Sequence, residues 1–157
     1  MQPMARVWIC VSAALFLVSA GRGFGEVDRW LNYTSEGTHF REQGRYSDAE
    51  RRYLDAYRLV ADSGEKSDRL VVSLSHLAVI YSDEGRFGEA ETFGRRALEV
   101  RRQVSNPKSP AMAVTLNNLA EIYRLQSRHT EAEPLFLEAL PSSRRPFGQT
   151  TPIWLPR

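Results

Sequence analysis

The sequence predicts an all-α solenoid of antiparallel helix pairs, about three pairs long. Three observations carry that expectation. Sliding the chain against itself by 42 residues aligns Val72–Leu98 with Val114–Leu140, and twelve of the 27 pairs are identical. Chance at ordinary composition gives about two. Within each copy the apolar residues fall into two runs with helical spacing, as in Leu74, Leu77, Ala78, Tyr81 and then Ala90, Phe93, Ala97, Leu98. Turn-forming residues separate the runs.

The elements follow in chain order. Arg6 precedes fourteen mostly apolar residues, Val7 to Ala20, and Val18-Ser19-Ala20 suits cleavage before Gly21. This is the layout of an export signal over 1–20. Fourteen residues are short for a span of about 20, so no stable membrane insertion is expected after cleavage. Cys10 lies in that segment, and a cysteine-free mature chain must be held by packing alone. Helices are then expected over about 28–43, 47–61, 67–84, 88–104, 110–126 and 130–140, together a repeat domain over 28–140, with bounds good to about two to four residues. A weaker first copy appears at a slide of 41, pairing Gly44 with Gly85, Arg45 with Arg86, Ala49 with Ala90, Glu50 with Glu91 and Ala56 with Ala97. Gly44 and Gly85 suit left-handed helix ends, a geometry for which Ser127 is a poorer choice. Ser47 with Glu50 and Thr130 with Glu133 have capping-box spacing. Ser109-Pro110 reads as a cap followed by a first-turn proline, and Pro134 is also expected in a first turn. The tail, 141–157, holds Pro141, Pro146, Pro152 and Pro156, and begins like a truncated further repeat. Ile153, Trp154 and Leu155 are expected to fold back on the last copy, unless another protomer covers it.

Composition narrows the function. A net charge of +2 gives no electrostatic case for nucleic acid. One cysteine and three scattered histidines, His39, His76 and His129, offer no metal site and no catalytic relay. No phosphate loop or nucleophile elbow is present. Neither cofactor nor enzymatic activity is expected. The doublets Arg51-Arg52, Arg95-Arg96 and Arg101-Arg102 read as a solvated convex face.

The copies resemble tetratricopeptide repeats. The match runs Leu74, Leu77, Ala78, Tyr81, Gly85, Ala90, Ala97 in the second copy and Leu116, Leu119, Ala120, Tyr123, Ala132, Phe136, Ala139 in the third. The first has Tyr33, Gly37, Phe40, Gly44, Ala49, Tyr53, Ala56, with Glu36 in a leucine position; the second has Gly94 in an aromatic one. The spacing near 42 is closer to the kinesin-light-chain-like branch. The resemblance implies a right-handed solenoid whose first helices line a concave groove for a protein or peptide partner. By repeat position the partner-binding residues would be Arg41, Ser75, His76, Val79, Asn117, Asn118, Glu121 and Arg124, with Thr34, Thr38 and Ser82 on the same surface. The asparagine amides suit a peptide backbone, because each donates and accepts. The alternative is an assembly element that self-associates through its uncapped last copy, or a fragment of a longer scaffold.

Overall fold

The computed structural model describes residues 25–64 and 66–140. The expected export segment 1–20 and the tail 141–157, with Ile153, Trp154 and Leu155, lie outside the described residues. Six helices form among them: α1 (25–42), α2 (Tyr46–Ala61), α3 (Asp68–Asp83), α4 (Phe87–Val104), α5 (Pro110–Leu125) and α6 (His129–Ala139). No strand occurs among the described residues. From α2 onward, each helix packs on its sequence neighbours, and α3 also touches α5. The result is a row of antiparallel pairs. Apart from the start of α1, which is already helical at residue 25, every bound lies within one residue of the sequence expectation.

The expected positions form the core. Leu74, Leu77, Ala78, Leu116 and Ala120 are wholly buried, as are Ala49, Ala56, Ala90 and Ala132. One cluster joins Tyr53 of α2, Leu77 and Tyr81 of α3, Ala90 of α4 and Ile122 of α5, so no pair owns its core. Burying each large aliphatic side chain contributes about 1.5–3 kcal/mol. Alanines let the helices approach, and larger residues fill what remains. The first pair is tied in by polar contacts too, since Trp30 Nε1 of α1 donates to Ser73 Oγ of α3 at 2.8 Å.

The same turn closes all three pairs. Gly44, Gly85 and Ser127 have φ of 72°, 74° and 61°. The next residue's N–H donates back to Phe40, Tyr81 and Tyr123 carbonyls at 2.9, 2.8 and 2.9 Å. The turn residue's own N–H reaches Arg41, Ser82 and Arg124. This pair of bonds satisfies carbonyls that a helix end leaves open. Ser127 accepts the left-handed conformation at a steric cost that glycine escapes.

Helix starts depart from expectation. Ser109 Oγ does accept from Met112 N at 3.1 Å, with Pro110 behind it, and Ser67 Oγ accepts from Leu70 N at 3.3 Å. The two capping boxes do not form. The N-cap residues of α2, α4 and α6 are Arg45, Arg86 and Arg128, without side-chain caps, because each helix starts straight out of its turn. Ser47 and Thr130 are thus already inside their helices. Each capping arginine instead pairs with the acid three residues on: Arg45 with Asp48, Arg86 with Glu89, Arg128 with Glu131. Of the box glutamates, Glu50 faces the following copy and reaches Arg86 at 3.2 Å, and its counterpart in the next copy, Glu91, likewise reaches Arg128 at 2.5 Å. Arg86 and Arg128 also lie over the Tyr81 and Tyr123 rings at 4.2 and 4.4 Å. Burial and the neighbouring Glu50 push the Tyr81 hydroxyl up to about 12. Burial opposes charge on Glu91, yet Arg128 and Arg95 hold its carboxyl below the usual glutamate range. Pro134 is the sixth residue of α6, past the first turn, so it leaves the Thr130 carbonyl without its helical donor.

Candidate functional site

Helices α1, α3 and α5 share one face of the row, and a cavity of about 440 Å³ opens on it between α3 and α5. The spacing of the lining positions explains why. On α5 they are Ala111, Val114, Thr115 and Asn118, one helical stripe; on α3 they are Val72, Ser75, His76 and Val79, the matching stripe. Arg41 of α1 and Arg101 of α4 complete the lining.

Five of the eight expected residues therefore come together: Arg41, Ser75, His76, Val79 and Asn118. Asn117, Glu121 and Arg124 do not line the cavity. They form the adjoining stripe of α5, where Arg124 Nε donates to Glu121 Oε2 at 2.8 Å. That pair holds the Glu121 carboxyl below its usual range. Thr34 and Thr38 line a second recess, of about 500 Å³, between α1 and α3, which shares His76 with the first. Their hydroxyls are already committed, Thr34 to the Trp30 and Leu31 carbonyls and Thr38 to the Thr34 carbonyl and Tyr53 Oη. Ser82 lines neither recess.

The polar groups around the α3–α5 cavity are fixed from behind. Arg41 Nε donates to Asp83 Oδ2 at 2.5 Å. His76 stacks on Tyr53, ring centroids 4.6 Å apart and nearly parallel. Burial, and then the Arg41 charge, lower the His76 pKa, which keeps the ring neutral. Arg101 is 6% exposed, which overturns its assignment to a solvated face. Its guanidinium pairs with Asp68, donates to Ser105 Oγ at 3.1 Å and to Thr115 Oγ1 at 3.3 Å. Asp68, Arg101 and Thr115 come from three helices, so no local pattern signals the burial. Val72, Val114 and Arg101 were missed. Val72 and Val114 are identical across copies, which does not say which face they take, and Val114 is 59% exposed.

A larger recess, about 650 Å³, lies between α4 and α6. It marks a change of packing: Leu98 and Leu135 stand there where the first two copies place Tyr57 against Phe93, edge to face at 6.3 Å. It gathers none of the expected residues. Among the described residues no three His, Cys, Asp or Glu side chains are placed to hold a metal ion, and no helix is long and apolar enough to cross a membrane.

Comparison with known proteins gives a consistent picture. A family model described as tetratricopeptide repeat matches residues 68–145. No curated protein sequence matches the chain. Among solved structures, BtubC (BKLC) from P. vanneervenii is similar at 24% identity and a TM-score of 0.63, over 76% of this chain and 48% of that one. The chain thus spans about half the length of BtubC. The N-terminal domain of stress-induced protein-1 from C. elegans is similar at 20% identity and a TM-score of 0.59, over 77% of this chain and 88% of that domain. At such identities the likeness is one of fold.

Proposed function

Because the chain is a tetratricopeptide repeat protein, we propose that its α3–α5 groove holds a segment of a protein partner and performs no chemistry of its own. Repeats of this family generally mediate protein–protein interaction. The observation that carries the finer reading is the convergence of Arg41, Ser75, His76, Val79 and Asn118 on one cavity from three helices, one in each copy. Ser75 and Asn118 stand at that cavity with side chains that make no hydrogen bond in the described structure, while the surrounding arginines are held in place. Such groups suit a peptide backbone. The test is selection of a random-peptide display library on the full chain. Groove-directed peptides are expected to bind the Ser75→Ala, Asn118→Ala double variant about tenfold more weakly. Selected peptides that bind the double variant unchanged would place the site elsewhere.

The spacing near 42 supports a place near the kinesin-light-chain-like branch. Export remains part of the proposal, supported by the apolar run Val7–Ala20 behind Arg6. N-terminal sequencing of the protein from a secreting host is expected to begin at Gly21; a chain still beginning at Met1 would refute it.

A further inference from the structure

Resting on the groove reading above, we propose that the occupant of the α3–α5 cavity is an uncharged segment anchored by an aliphatic or aromatic side chain, and not an acidic one. The first ground is the floor. Val72, Val79, Ala111 and Val114 supply aliphatic surface from both helices. Val114 is the most exposed of the large hydrophobic side chains among the described residues, at 59%. An apolar side chain seated there removes that surface from water.

The second ground is the charge of the walls. Two arginines border the cavity, and each already has its acid. Arg41 is neutralised by Asp83 through its Nε. Arg101 is spent on Asp68 and is further held by Ser105 and Thr115. His76 is kept neutral by burial and by Arg41. Arg124, on the adjoining stripe, is spent on Glu121. The walls therefore sum to no net charge, and the adjoining α1–α3 recess adds only the acid Glu42. A carboxylate entering the cavity meets no spare cation. Asp83 and Asp68 already neutralise the two arginines, so a carboxylate gains less there than beside an uncompensated cation and loses hydration against the valines. An apolar anchor meets neither obstacle. The free polar groups, Ser75 and Asn118, then bond the segment's backbone and set its register.

The experiment uses the full chain, the display library already described and synthetic copies of the selected peptides. Selected sequences are expected to be enriched in large apolar residues without enrichment of Asp or Glu. Their affinity should change less than about twofold between about 0.1 M and about 1 M salt, over which the screening length falls from about 10 Å to about 3 Å. Val114→Asp should weaken binding about tenfold or more. Acidic selected peptides that lose affinity in salt, while still depending on Ser75 and Asn118, would overturn this inference alone. Peptides indifferent to Val114→Asp and to the Ser75, Asn118 double variant would overturn the groove reading, and this inference with it. Circular dichroism of each variant, unchanged from the parent, separates lost binding from lost fold.

Discussion

The packing around α2 and the packing around α4 solve one problem in opposite ways. Around α2, the small position of α1 is Gly37 and the aromatic position of α2 is Tyr53. The Tyr53 ring lies so close that a Cβ on Gly37 would sit 2.6 Å from it. The same ring supports His76 of α3. Around α4 the aromatic position is Gly94, and Leu119 and Ile122 of α5 reach into the space, 3.1 and 3.3 Å from where a Cβ would stand. A ring from one side is replaced by two aliphatic ends from the other. Volume is conserved from one place to the other while identity at a given repeat position is not. The polar edge differs as well. Glu36 of α1 stands where later copies have leucine and pairs with Arg52 at 2.8 Å, so the first copy meets solvent with an ion pair instead of an apolar side chain.

The largest expected effect separates the two directly. Tyr53→Ala removes a ring that is 1% exposed and should cost about 3–5 kcal/mol in urea denaturation. A loss under about 1 kcal/mol would mean that the first copy is not packed as described. Next is Gly37→Ala, which drives a methyl into that buried ring and should cost about 1–3 kcal/mol. Its counterpart, Gly94→Ala, should be nearly neutral. There the new methyl meets only the ends of flexible side chains, and the gain in helix propensity of about 1 kcal/mol offsets the crowding. Equal effects at the two glycines would erase the contrast.

A smaller effect tests the turn shared by the copies. Ser127 alone among the described non-glycine residues has positive φ. Ser127→Gly should stabilise the protein by about 1 kcal/mol, and Gly85→Ser should destabilise it to a similar extent. The smallest effect concerns His76. Its folded pKa lies below the ordinary 6.5, so the folded protein binds that proton less readily than the unfolded chain. Stability from this group is full above pH 6.5 and is lost as pH falls through that value toward the lower folded pKa. The melting temperature should decline across that window, and His76→Gln should flatten the decline. A profile unchanged by the substitution would show that His76 is not desolvated.

Much of this architecture is legible in the sequence because it is local and repeated. Leu74, Leu77, Ala78 and Tyr81 declare a helix face by spacing alone, and Gly85 declares its end. What was not legible is what crosses copies. Ser47 and Glu50 have capping-box spacing, but the turn through Gly44 starts the helix at Tyr46, and Glu50 serves Arg86 of the following copy. Arg101 looks like its exposed neighbour Arg102 until Asp68, 33 residues earlier, is brought beside it. Within the groove, one residue on a helix turns the side chain by about 100°. That rotation separates Asn118, which faces the cavity, from Asn117, which does not, although the two are identical and adjacent. Glu121 and Arg124 go with Asn117, because their charges satisfy each other along that stripe.

Occupation of the α3–α5 groove by a partner segment is the central proposal. The most direct measurement is NMR of the full chain during titration with a selected peptide. The methyl groups of Val72, Val79 and Val114 and the side-chain amide of Asn118 are predicted to shift together. Shifts confined to Leu98, Leu135 and their neighbours in the α4–α6 recess would contradict the assignment.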